Sequence, residues 1–279
     1  MKTTFQTPEP YAKEILRLAR ETPATGSVRP LHFQKVMWEN RGTIGSINPF
    51  GAGEDGLERK NPVIAALGDS VTAGHFENAI PMEELLAKIA AASFGEDEVG
   101  EVTDVRVCYL EQFRNMLVEK YGQTSVSAVN SGIAGDTLYG MQRRLYRDVI
   151  RYQPDLVILN GALNWGEPCG STEDYEKLLT QVVKSIKNET KADLVLLTPN
   201  MDWPSPLAPG NPLSTLKERV EVIRSLADAE QVCLADAYKI WEAYAAAGYP
   251  VPEMLANGLN HPSVTGHTVY ALALMQLMN

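Results

Sequence analysis

The chain reads as an α/β protein with a doubly wound, five-stranded parallel sheet covered by helices on both faces, a three-layer α/β/α arrangement. Short apolar or β-branched runs recur along the 279 residues, separated by longer stretches with helical periodicity. The clearest run, residues 63–67, is apolar at every position rather than at alternate ones, as a strand buried on both faces requires. The polar, glycine-containing stretches that could carry chemistry follow the runs, where the carboxyl ends of parallel strands gather.

In order, Tyr11, Ile15, Leu18 and Ala19 fall at helical spacing, which predicts an amphipathic helix over residues 10–20. Residues 21–61 are rich in Gly, Pro and Asn, with isolated Phe33, Val36, Met37, Trp38 and Phe50. They read as an irregular arm that Trp38 and Phe50 pin against the main domain or a second subunit. The expected division is therefore an arm over 1–61 and a main domain over 62–279, with the arm offering a route to a homo-oligomer.

Residues 63–67 are the first strand, closed by Gly68-Asp69-Ser70, and 81–94 reads as helix. Val107, Leu110, Phe113, Met116 and Leu117 form an apolar stripe on a helix over 105–121. The remaining strands are expected at 125–129, 156–159, 194–197 and 232–235. Helices are expected between and after them at 136–152, 173–190, 213–229, 238–247 and 263–278. Arg143, Arg144, Arg147, Asp148 and Arg151 read as a solvated helix face. Right-handed crossovers make a flavodoxin-like strand order the simplest topology.

Composition narrows the function. A net charge of −10 argues against nucleic-acid binding and against a polybasic membrane anchor. No apolar run approaches the roughly 20 residues that span a bilayer. The first residues lack the apolar core of a signal peptide, and Cys108, Cys169 and Cys233 follow no metal-ligand spacing. A cytoplasmic protein with free thiols is expected.

Ser70 sits where a strand ends and a helix begins, the place at which free N–H groups favour an anion. Asp69-Ser70 as a simple helix cap is the alternative. Gly68-Asp69-Ser70, then Gly135-Asp136-Thr137, then His261-Pro262 before the last helix, together resemble the blocks of the SGNH, or GDSL-type, hydrolases over residues 62–279. The resemblance implies a serine esterase with Ser70 as nucleophile and His261 as base. It also implies an oxyanion hole made by the N–H groups of Ser70 and Gly135 and the side chain of Asn164, with Asn160 as competitor for that last place. No metal or organic cofactor is implied.

Two positions depart from the family pattern. Trp165 stands where Asp is usual, and Asn257, four residues before His261, replaces an Asp expected three before it. An Asn can accept or donate, and donation to the ring fixes the wrong tautomer, so either a backbone carbonyl orients His261 or catalysis is weak. Asn257→Asp is expected to raise activity if that side chain faces the ring. Asp69, Trp165 and Trp203 are expected to contact substrate, because aromatic faces suit sugar rings and acyl chains alike; loop packing is the alternative for both tryptophans. The expected substrate is a small-molecule ester, a small acyl group on a carbohydrate or similar polar molecule. Lysophospholipid or longer-acyl hydrolysis comes second, and a binding protein that has lost turnover is the rival of another class.

Overall fold

The computed structural model describes residues 6–24, 31–40, 61–93, 95, 98–122, 125–203 and 215–278. In chain order it forms α1 (Glu9–Glu21), α2 (His32–Asn40), β1 (Val63–Gly68), the single-turn α3 (Ser70–Ala73), β2 (His75–Asn78), α4 (Met82–Ala91) and β3 (Glu101–Thr103). Next come α5 (Tyr109–Tyr121), β4 (Ser127–Gly132), α6 (Leu138–Asp148), β5 (Leu156–Asn160), α7 (Thr172–Glu189) and β6 (Asp193–Leu197). The chain continues through α8 (Leu216–Ala229), β7 (Cys233–Ala235), α9 (Ala237–Ala246) and α10 (Val264–Met275).

The five apolar runs form one parallel sheet in the order β4-β1-β5-β6-β7. Residues 64–67 of β1 and 156–158 of β5 have no exposure, so both faces of the central strands are covered. One layer packs α5 against α10, with α1 and α9 beside them; the other runs α6, α7, α8. The chain leaves β1 for β4 on one side, then returns across β1 to β5. The crossovers part between β1 and β5, and this opens the crevice into which parallel sheets place ligands. Ser70 follows β1 at that point.

Three features depart from the sequence expectation. The first is a helix within the arm: α2 buries Phe33 and Met37, just after the buried Leu31, and the Phe33 N–H donates to Asp193 Oδ2 at 2.6 Å. Trp38 is 50% exposed but sets its ring edge on Tyr121 of the same chain, at 5.1 Å between centroids. Phe50 lies outside the described residues, as does most of the loop beyond Trp203.

The second departure is a two-stranded antiparallel ribbon of β2 and β3, with an irregular register between His75 and Asn78. The third is Arg144, which is buried rather than solvated. Its guanidinium donates to the carbonyls of Gly68 and Ser131 at 2.8 and 2.6 Å and pairs with Asp136 and Asp148 at 2.7 and 3.0 Å. These bonds join the ends of β1 and β4 to the loop that starts α6. The 3.6-residue period alone could not separate this arginine from its solvated neighbours.

The N-terminal helix lies on the helices of the second half. Ile15 and Ala19, one turn apart, are buried, and Gln276 donates to the carbonyls of Ala19 and Thr22 at 3.1 and 2.9 Å. The Thr7 and Ser263 hydroxyls also share a hydrogen bond. Among the described residues, no helix is long and apolar enough to cross a membrane.

Candidate active site

Strand β1 delivers Ser70 into the crevice, and Asp69 caps the turn of helix that Ser70 begins. The Asp69 Oδ1 accepts the Val71 N–H at 3.0 Å, and the carboxyl has no exposure. Burial pushes its pKa up to about 7, against the pull of the Val71 N–H. Asp69 is therefore a buried cap, and the expectation that it touches substrate is corrected.

His261 reaches Ser70 from 191 positions further along the chain: its Nε2 lies 3.0 Å from Ser70 Oγ, and both residues are buried. Its Nδ1 faces the Phe76 carbonyl of β2 at 3.1 Å. A carbonyl can only accept, so Nδ1 carries the hydrogen and Nε2 presents its lone pair to the serine. An imidazole so held can take a hydroxyl proton. Burial lowers its pKa below the usual histidine value, and the nearby Glu101 carboxylate partly opposes that shift.

The loop before His261 is a tight reversal. Leu255 bridges to Pro262, the Ala256 N–H donates to the His261 carbonyl at 2.8 Å, and Ser263 donates to Met254 at 2.8 Å. Asn257 closes the tip: its Oδ1 accepts the N–H groups of Leu259, Asn260 and His261 at 3.0, 2.9 and 2.9 Å, and its Nδ2 donates to Asn260 Oδ1. This side chain holds the backbone of the loop and does not orient the ring. The expectation of Asn257 as a catalytic residue is thus replaced by the alternative, a backbone carbonyl, which is that of Phe76. Asn200 braces the loop from β6 by donating to the Asn260 carbonyl at 2.9 Å.

The β4 side of the crevice is built by close backbone approach. A Cβ on Gly132 would fall 2.1 Å from the Ala73 nitrogen, so only glycine lets β4 lie against α3. Asn130 donates to the Thr72 carbonyl at 2.8 Å, and the Ile133 N–H donates to the Gly68 carbonyl at 3.2 Å. Gly135 is exposed with φ +68°, a conformation that strains other residues. Asn164, part-buried, donates one N–H to the Asp136 carbonyl at 3.2 Å and so lies next to Gly135, with a second N–H left to offer. Asn160 is fully buried at the end of β5, in register with Gly68.

The two tryptophans divide. Trp165 is buried; its indole N–H faces the carbonyls of Gly170 and Ser171 at 3.2 and 3.3 Å, and its ring lies between Tyr139 and Tyr175. It is a packing residue, not a substrate platform. Trp203 is 44% exposed, and its backbone N–H donates to Leu259 in the histidine loop at 2.8 Å.

Two residues near the ring escaped the sequence reading. Glu101 of β3 places Oε1 3.5 Å from His261 Nδ1 and Oε2 2.9 Å from His75 Nδ1. The short, polar segments that carry them, His75–Asn78 and Glu101–Thr103, have neither apolar run nor periodicity to mark them. His267, in the first turn of α10, is a core residue: its Nδ1 accepts the Tyr109 N–H at 3.1 Å, and burial pushes its pKa down to about 3.

A serine and an imidazole meeting beyond the carboxyl edge of a doubly wound sheet define a serine-hydrolase type of site. The model of the GDSL-like lipase/acylhydrolase family matches residues 66–269, and the chain belongs to that family and is an ester hydrolase of its type. An acetylxylan esterase of Geobacillus stearothermophilus is 26% identical over 192 residues, 65% of this chain and 84% of that one. The crystal structure of an acetylxylan esterase from the same organism superposes with a TM-score of 0.56 at 22% identity, covering 78% of this chain and 94% of that one. A lipase/acylhydrolase of Enterococcus faecalis gives a TM-score of 0.54 at 23% identity over 76% and 93% of the two chains. At these identities the solved structures show the shared fold.

Proposed function

We propose that the chain is a serine esterase that removes a small acyl group, acetyl foremost, from a carbohydrate or similarly polar alcohol. The approach of His261 Nε2 to Ser70 Oγ at 3.0 Å carries the reading. Ser70 attacks the ester carbonyl while His261 takes its proton, and the N–H groups of Ser70 and Gly135 with the Asn164 amide hold the oxyanion. Collapse returns the proton from Nε2 to the leaving alcohol. Water, deprotonated by the same nitrogen, then attacks the acyl-serine and releases the acid.

The likeness to an acetylxylan esterase supports the acetyl group, and the exposed Trp203 beside the histidine loop supports a sugar, whose ring stacks on an indole. Acetate release from acetylated xylo-oligosaccharides, run beside p-nitrophenyl acetate and decanoate, tests this. Faster turnover of acetyl esters, with fluorophosphonate labelling lost in Ser70→Ala, is expected. Preference for the decanoate would replace the acetyl reading with a long-chain one, and an unlabelled wild type would remove the esterase mechanism.

A further inference from the structure

The loop that carries His261 sets no carboxylate against the ring, yet one stands there from elsewhere. The charged and titratable groups around the imidazole come from three elements. Ser70 faces Nε2 from α3. Glu101 and His75 face the Nδ1 side from the ribbon, the His75 ring edge-on to His261 at 5.9 Å between centroids. His267 of α10 lies behind Phe76, with centroids 4.9 Å apart.

The geometry points to Glu101 as a positioning residue of the esterase site, doing from the β2–β3 ribbon the electrostatic half of the work that a triad acid does alone. This rests on the Ser70–His261 reading. A triad acid does two things: it fixes the tautomer through the Nδ1 hydrogen, and its charge offsets the imidazolium that forms as serine gives up its proton. Here the Phe76 carbonyl, at 3.1 Å, does the first. The Glu101 carboxylate, at 3.5 Å from the same nitrogen, does the second.

Other observations agree with that division. The Glu101 and His75 side chains are only 24% and 17% exposed, so water screens the charge weakly. His75 donates to the second carboxylate oxygen at 2.9 Å and fixes the plane of the group. The irregular register between His75 and Asn78 re-aims side chains, as bulges next to active sites do. The ribbon is closed at both ends, Asp104 donating to Gly74 at 2.8 Å and Ala79 to Gly100 at 2.9 Å. Burial works against the Glu101 charge, but the His75 hydrogen bond and the neighbouring imidazoles outweigh it and hold the carboxyl below its usual range. Glu101 is therefore anionic at neutral pH, where His267 is neutral.

Glu101→Gln keeps the shape and the acceptor toward His75 and removes only the charge. With p-nitrophenyl acetate, kcat is expected to fall roughly 10- to 100-fold with KM within about twofold, less than the roughly 10⁴ seen when a triad loses both the charge and the tautomer. The acid limb of kcat/KM should move to lower pH, because the charge that raises the His261 pKa is gone. Glu101→Asp, which keeps the charge, should lie nearer wild type in both readouts. A ribbon staple without electrostatic role would leave the limb where it is. Overturning results are a Glu101→Gln enzyme with kcat and limb unchanged, an effect on KM alone, or an Asp variant no better than the Gln one. Fluorophosphonate labelling of wild type at Ser70 separates these from failure of the underlying reading: no labelling removes both, whereas labelling with an indifferent Glu101→Gln removes only the role of Glu101.

Discussion

Two walls meet at Ser70, and they are built by different means. The wall on the β4 side consists of strand ends and tight loops: Gly132 against α3, Gly135 at positive φ, Asn164 bonded to Asp136, and Arg144 tying the carbonyls of Gly68 and Ser131 together. Its geometry follows from the parallel register of β1, β4 and β5. The opposite wall is an antiparallel ribbon outside that sheet, whose Phe76 carbonyl and Glu101 carboxylate face a histidine more than 150 positions away. In the proposed mechanism the sheet side supplies the N–H groups of Ser70 and Gly135, as suits a developing negative charge. The ribbon side presents a carbonyl and a carboxylate, as suits a developing positive one. Charge separation in that mechanism is matched on each side by structure formed beforehand.

The sharpest way to break this comparison is His261→Ala, which removes the meeting point: kcat should fall by about 10⁴–10⁶ while the fold, read by circular dichroism and Tm, survives. Arg144→Met attacks the sheet wall, leaving two strand-end carbonyls and Asp136 without their donor; urea unfolding should show a loss of about 3–5 kcal/mol. Asn164→Ala tests the same wall chemically and should lower kcat by roughly 10²–10³ with little change in KM. The smallest effect belongs to Asn257→Asp. A carboxylate there would still accept three backbone N–H groups and would lose the bond to Asn260, so initial rates should stay within about twofold of wild type. A tenfold gain would mean that the loop can turn residue 257 toward the ring, and the division of labour between the walls would need redrawing.

The same contrast explains what was legible in the sequence. Residues 63–67 and 156–159 announce themselves because a strand covered on both faces must be apolar throughout, and Ser70, which follows the first of them, stands with Gly135 and His261 in family motifs. The ribbon is silent: His75–Asn78 and Glu101–Thr103 are too short and too polar to show a period, and their pairing spans more than twenty residues. Asn257 drew attention for occupying the acid's usual neighbourhood, but which way an amide points is settled by the three N–H groups that converge on it. Trp165 and Arg144 depart from expectation because residue type predicts burial only on average, and each has found partners for its polar atoms inside the molecule.

The family match begins at residue 66, yet α1 lies well before it and covers α10, the helix that continues from the histidine loop. Ile15 and Ala19 shield an oily flank of that helix, and the Thr7 hydroxyl meets Ser263, two residues past the imidazole. A chain that began at residue 62 would bare that flank to water and release the rear support of the base, while the strand that presents the serine kept both its neighbours in the sheet.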